Sequence, residues 1–76
     1  MLETTYELIK NGADKIVIGE TFPLIIFGNF ENDVVNAVLV EVHEKKIIVI
    51  AKGKKFNLRL SELSQQGFYI NEKISG

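Results

Sequence analysis

The segment from Val34 to Leu60 constrains this chain more than any other part of its sequence. It predicts three successive strands joined by two tight turns rich in lysine, and the middle strand, Lys46–Ala51, reads KIIVIA. Side chains of a strand alternate between its two faces, so this strand is apolar on both of them and needs cover on both sides. A chain of 76 residues can provide that cover by closing into a very small barrel or by borrowing burial from other copies of itself.

Length and composition favour the second route. A domain of ~60 residues buries only about 60% of its unfolded surface, so a single core is marginal at this size. Yet 46% of the residues are hydrophobic, and the absence of cysteine excludes disulfides and thiolate metal sites as additional support. Oligomerisation is the usual remaining device. We therefore expect a single domain, residues 1–76, that assembles with itself.

The N-terminal sequence MLETTYELIK has no basic region followed by an apolar stretch, so it does not resemble a signal peptide. The longest apolar run, Phe22 to Phe27, is far shorter than the ~20 residues that span a bilayer. These features predict a soluble, cytoplasmic protein with no membrane partner.

The residue pattern predicts a mostly β fold: a short N-terminal helix followed by a five-stranded, strongly bent SH3-like barrel. The helix is expected over residues 2–11, because Leu2, Tyr6 and Ile9 share one helical face. The barrel is expected over 15–70. Its five predicted strands are a long first strand region that takes in 14–19 and 22–28, three strands at 34–43, 46–51 and 55–60, and a last short strand at 68–70. A turn is expected at 28–33 and a helical turn at 61–64. Val38, Val40 and Val42 are expected on one face of their strand, and residues 71–76 are expected to fray.

Positive charge is concentrated in the same segment, Val34 to Leu60, which we call the meander. Six basic residues and no acidic residue lie between Lys45 and Arg59, whereas the rest of the chain has three basic and ten acidic residues. This asymmetry is compatible with a face that binds a polyanion. It is equally compatible with lysines that mark hairpin turns and protect strand edges.

Several positions of the meander are similar to a known pair of motifs. Residues 35–39 (VNAVL) look like a bent apolar stretch in which Ala37 replaces glycine; His43 and the Lys45-Lys46 pair fall near the following turn, and Leu58-Arg59-Leu60 stands where an apolar–Arg–Gly tripeptide is usual. In this pattern the chain resembles a divergent member of the Sm-like (Sm/LSm/Hfq) superfamily over roughly residues 2–70. The turn acid, the turn asparagine and both glycines of the family are replaced in this chain.

The resemblance implies a homo-oligomeric ring that binds single-stranded RNA through basic turns. The RNA-binding residues would be His43, Lys45, Lys46 and Arg59, and the oligomer interface would include Phe56, Leu58, Phe68, Tyr69 and Ile70. The alternative is a small β-barrel protein-interaction module that does not bind nucleic acid.

Catalytic patterns are absent from the sequence. His43 is the only histidine, and without cysteine it has no partner for a metal site of histidine and thiolate ligands. The spacing of Ser61 and Ser64 links neither serine to a base or an orienting group. We therefore expect no enzymatic activity, no cofactor, no metal and no small-molecule substrate.

Overall fold

The computed structural model describes residues 3–26 and 34–75, with side chains for 4–26 and 34–74. The elements within these ranges are β1 (Glu3–Lys10), β2 (Asp14–Ile16), β3 (Thr21–Ile25), β4 (Val34–Val42), β5 (Lys46–Ala51), β6 (Lys54–Arg59), α1 (Leu60–Ser64) and β7 (Phe68–Ser75). The strands form two antiparallel sheets, one of three strands in the order β2-β1-β7 and one of four in the order β3-β4-β5-β6. The turn predicted over 28–33 lies wholly outside the described residues.

The closed barrel expected from the sequence is wrong. In the described part of the chain β3 pairs only with β4, and β6 pairs only with β5, so the four-stranded sheet keeps two free edges. The three-stranded sheet likewise ends at β2 and β7. The two sheets pack on each other through their inner faces instead of joining edge to edge, and this packing supplies the core without closing a barrel.

The predicted N-terminal helix is also wrong, because residues Glu3–Lys10 form strand β1. β1 pairs with β7 along its whole length, from the Glu3–Ser75 pair to the Lys10–Phe68 pair. The β-branched and aromatic run Thr4-Thr5-Tyr6 suits an extended backbone, and a full-length partner strand decides the outcome. β7 extends to Ser75 for the same reason, over residues that the sequence predicts to fray.

The meander agrees closely with expectation. β5 has the predicted bounds, and α1 begins one residue before the predicted helical turn. Lys52 and Gly53 connect β5 to β6 with φ angles of 53° and 75°. Two consecutive positive φ values characterise the two-residue hairpin turn that matches the twist of its strands, and glycine is the residue that adopts such angles without strain.

The core lies between the two sheets. Phe22 of β3 and Phe68 of β7 meet edge to face, with ring centroids 5.7 Å apart. The most deeply buried large side chains come from both sheets and from α1: Leu8, Leu39, Ile47, Val49, Leu58 and Leu63.

A β-bulge in β4 changes which residues share a face. Leu39 stands opposite Val49 and Glu41 stands opposite Ile48, so Val40 is an extra residue in the ladder. Val42 consequently returns to the inner face, where it packs against the core. The prediction that Val38, Val40 and Val42 share one face is therefore wrong, since Val38 lies on the outer face.

Candidate functional site: the outer face of the four-stranded sheet

The outer face of the four-stranded sheet leaves apolar side chains of the central strands open. Ile47 and Val49 of β5 are fully buried on the inner face, so their neighbours Ile48 and Ile50 point outward. Ile50 is 40% exposed, and Val38 stands directly opposite it on β4. Val38 and Ile48 are both partly exposed. We call Val38, Ile48 and Ile50 the apolar patch.

Basic side chains border the apolar patch along β6. Lys55 stands opposite Ile50, and Arg59 stands opposite Lys46, all with side chains on the outer face. Like charges directly across a strand pair are destabilising. Among the residues that the structure describes, neither Lys46 nor Arg59 has an ion-pair partner. We call Lys46, Lys55 and Arg59 the basic border; it carries positive charge that no carboxylate of the described chain neutralises by direct contact.

The four residues predicted to bind RNA converge at one end of this sheet. The His43 N–H donates to the Lys46 carbonyl and the Leu60 N–H donates to the Lys45 carbonyl, each at 2.8 Å. Arg59 stands opposite Lys46, as described above. The His43 ring nitrogen Nε2 lies 3.0 Å from Glu41 Oε1, so the ring contacts the carboxylate of a β4 residue two positions before it.

The five residues predicted as an oligomer interface do not share one surface in the single chain. Leu58 and Phe68 are buried in the core, and Phe56 and Ile70 pack against it. Tyr69 alone of the five is largely exposed, at 42%. Assembly as a ring stays a prediction.

The side chain of Gln66 binds the backbone of β3 through two hydrogen bonds, a contact that we call the Gln66 clasp. Nothing in the sequence indicates it. The Ile25 N–H donates to Gln66 Oε1, and Gln66 Nε2 donates to the Ile25 carbonyl, both at 2.7 Å. Since both backbone groups of Ile25 face away from β4, those of Pro23 do as well, and proline has no N–H to leave unpaired there. The clasp occupies both backbone groups of Ile25 and the proline removes one donor, so together they protect this edge. The two partners are 41 residues apart, so no local pattern predicts their contact.

A cleft of about 420 Å³ lies beside the clasp, between β3 and the start of β7. Its walls are mainly apolar, and Lys10 is the one charged residue among the described residues that line it. The Lys10 ammonium lies 5.6 Å from the centroid of the Phe68 ring, a cation–π distance. None of the described residues that line the cleft is acidic.

Two titratable groups of the three-stranded sheet have shifted pKa values. Lys15 Nζ lies 2.9 Å from Glu7 Oε2, and Asn71 Nδ2 donates to Glu7 Oε1 at 2.9 Å. The bond from Lys15 first, and the one from Asn71 second, hold the pKa of Glu7 below its ordinary value. Desolvation, followed by the charges of Glu44 and Glu72, raises the pKa of Tyr6.

Within residues 3–26 and 34–75, no three histidine, aspartate or glutamate side chains gather as a metal site would require. No helix in the same ranges has the length and apolar character needed to cross a bilayer.

Comparison of the chain with protein-family models, with curated proteins and with solved structures finds no match. The resemblance to the Sm-like superfamily therefore stays a prediction from the sequence.

Proposed function

We propose that this protein is an interaction module that docks an acidic partner protein on the outer face of its four-stranded sheet. The observation that carries the proposal is the uncovered side of β5. Ile47 and Val49 are fully buried on one face, whereas Ile50 on the other is 40% exposed. A strand of this composition favours cover on both faces, and the fold supplies it on one.

The layout of the face indicates the chemistry of the partner. Protein interfaces combine an apolar centre with a polar rim, and the apolar patch with its basic border has this arrangement on a small scale. Carboxylates of a partner would neutralise Lys46 and Arg59 and relieve their mutual repulsion. The complementary surface is therefore apolar at its centre and acidic at its edge.

Single-stranded RNA is the second candidate, and the unpaired Lys46–Arg59 juxtaposition favours it, because clustered cations bind phosphates. Recognition of unpaired bases also relies on stacking against planar side chains. The outer-face positions of β3 to β6 that the structure describes hold no phenylalanine or tyrosine, and the His43 ring contacts Glu41. The apolar patch is better suited to a protein surface than to bases.

The test compares two changes on the outer face with a matched control elsewhere. Ile50→Ser removes the centre of the apolar patch, and Lys46→Ala combined with Arg59→Ala removes most of the basic border. The control is Ile18→Ser, which alters an isoleucine of 65% exposure in the connection between β2 and β3. Partners are captured from native extract by crosslinking, the partner is purified, and its dissociation constant is measured by calorimetry.

We expect both outer-face variants to weaken the same partner at least tenfold, or about 1.4 kcal/mol, with no effect of Ile18→Ser. RNA is tested in parallel with short uridine-rich and adenosine-rich oligonucleotides at several salt concentrations. Salt-dependent RNA binding that is lost in the Lys46/Arg59 variant and kept in Ile50→Ser would establish the second candidate and overturn the first. The proposal also fails if no captured partner is sensitive to Ile50→Ser.

A further inference from the structure

The edge strands of the two sheets differ in how they are protected against pairing with other chains. β2 has three residues, β3 is closed by Pro23 and the Gln66 clasp, and the solvent-facing side chains of β6 include Lys54, Lys55 and Arg59. β7 has eight residues, no proline, and an unbroken register with β1. Short strands, proline and lysine are the usual protections of an edge. β7 carries one lysine, Lys73, against three basic residues on β6, so β7 is the least protected of the four.

The backbone groups that β7 offers follow from its ladder with β1. The Asn11 N–H donates to the Gly67 carbonyl, and these two residues continue the β1–β7 register by one step. Hydrogen-bonded pairs alternate along an antiparallel ladder, so the even-numbered residues of β7 direct their N–H and C=O groups away from β1. Phe68 is buried, which leaves Ile70, Glu72 and Ile74. Within the described ranges, no strand pairs with β7 on the side that faces away from β1.

We propose that β7 pairs antiparallel with β7 of a second copy of this chain, with the two Glu72 residues facing each other at the two-fold axis. A two-fold axis perpendicular to the sheet keeps each residue on the same face in both copies, so residues of equal parity must stand opposite each other. Centring the pair on Glu72 uses all three available residues and places Ile70 opposite Ile74 of the second copy.

The arrangement covers apolar surface that the single chain leaves open. Ile74 is 63% exposed and Ile70 is partly exposed. In the dimer, two Ile70–Ile74 cross-strand pairs lie on the inner face, one on each side of Glu72. The pairing joins the two three-stranded sheets into one of six strands. It also supports the end of the β1–β7 pair near Glu3 and Ser75, which β2 does not reach. That end has only two strands in the single chain, and a two-stranded ribbon is marginal by itself in water.

The Glu72 pair sets the strength of the association. The two carboxylates stand directly opposite each other on one face, and like charges in that position weaken strand pairing. Tyr6 of the same chain is the cross-strand neighbour of Glu72 in the β1–β7 ladder. The Glu72→Gln variant, which removes the charge and keeps the shape, is therefore expected to dimerise more tightly than the natural chain.

The first measurement is mass by analytical ultracentrifugation over a wide range of protein concentrations. We expect a monomer–dimer equilibrium whose dissociation constant rises at least tenfold in Ile74→Lys and falls in Glu72→Gln. The control is Ile18→Lys, which places the same charge at an equally exposed isoleucine outside β7 and should leave the constant unchanged. Circular dichroism checks that each variant keeps the fold.

The second measurement is hydrogen exchange of individual amides at low and high protein concentration. The amides of Ile70, Glu72 and Ile74 should gain protection as concentration rises, while those of Asn71 and Lys73, which face β1, should change little. A natural chain and a Glu72→Gln variant that both stay monomeric would overturn the proposal. So would a dimer that is insensitive to Ile74→Lys and shows no added protection at these three amides. Because this surface lies on the other sheet, its failure leaves the proposed function untouched.

Discussion

The Gln66 clasp makes a quantitative prediction about stability. Gln66→Ala removes two hydrogen bonds of 2.7 Å to the backbone of Ile25, at a partly buried site. A typical internal hydrogen bond contributes about 0.5–1.5 kcal/mol net, so the variant should lose about 1–3 kcal/mol of unfolding free energy. In a domain of this size each kcal/mol corresponds to roughly 4–8 °C, so the melting temperature should fall by roughly 4–24 °C.

Urea unfolding followed by circular dichroism measures the loss, and hydrogen exchange at the Ile25 amide locates it. Gln65→Ala is the matched control, because Gln65 is the exposed neighbour and should change stability by less than about 0.5 kcal/mol. The reasoning is refuted if Gln66→Ala is as stable as Gln65→Ala and the Ile25 amide exchanges at its original rate.

Gln66→Glu separates the donor from the acceptor in the same clasp. The carboxylate still accepts from the Ile25 N–H, but its second oxygen faces the Ile25 carbonyl, so the charged form is disfavoured in the folded state. The folded pKa of this glutamate is then raised above its unfolded pKa. The stability that the protonated glutamate contributes is fully present below its unfolded pKa, and it is lost as pH rises through its folded pKa. We expect the variant to be less stable than Gln66→Ala at neutral pH and to recover in acid.

Two further predictions concern the three-stranded sheet and the core. Lys15→Met should raise the pKa of Glu7 toward its ordinary value of 4.5, because the bond from Lys15 is the largest cause of the lowered pKa; carboxyl NMR titration measures it, and an unshifted titration contradicts it. Because the pKa of Glu7 is lower in the folded state, its carboxylate stabilises the protein above the unfolded pKa, and this contribution is lost as pH falls through the folded pKa. The difference in unfolding free energy between Lys15→Met and the natural chain should therefore shrink in acid. Leu58→Ala should cost about 2–5 kcal/mol in urea unfolding, since Leu58 is fully buried, whereas the outward-facing Arg59→Ala should be nearly neutral; equal effects would show that Leu58 does not point inward.

The meander could be predicted from the sequence because its signals are local. Alternation in residues 55–60 and the Lys52-Gly53 turn lie within a few residues of the structure they specify. The bulge at Val40 escaped prediction, since a strand pattern shows alternation but not an extra residue that only the partner strand reveals.

The error at the N-terminal strand arises from pairing between distant segments. Leu2, Tyr6 and Ile9 fit a helical face, yet Glu3–Lys10 is a strand because its partner, β7, lies at the other end of the described chain. The barrel was inferred from the two apolar faces of β5, and the structure leaves one of those faces partly exposed instead.

The candidate site was predictable in part. The sequence placed His43, Lys45 and Lys46 at one turn, but the position of Arg59 opposite Lys46 depends on the β5–β6 register. The apolar patch depends on the β4–β5 register, which places Val38 opposite Ile50 and includes the bulge.

The pairing of β1 with β7 has a consequence for biosynthesis. Its contacts join residues at least 58 positions apart, as in the Lys10–Phe68 pair, and such non-local contacts are slow to form. Translation makes β1 first, and until β7 has left the ribosome only the Leu8–Lys10 end of this strand has a partner, which is β2. The β4–β6 hairpins can form on the nascent chain, while completion of the three-stranded sheet must wait until after β7 is released. A stalled chain that ends before β7 would therefore leave the first five residues of β1, Glu3 to Glu7, without a partner strand, and such an open edge is prone to aggregation and to capture by chaperones.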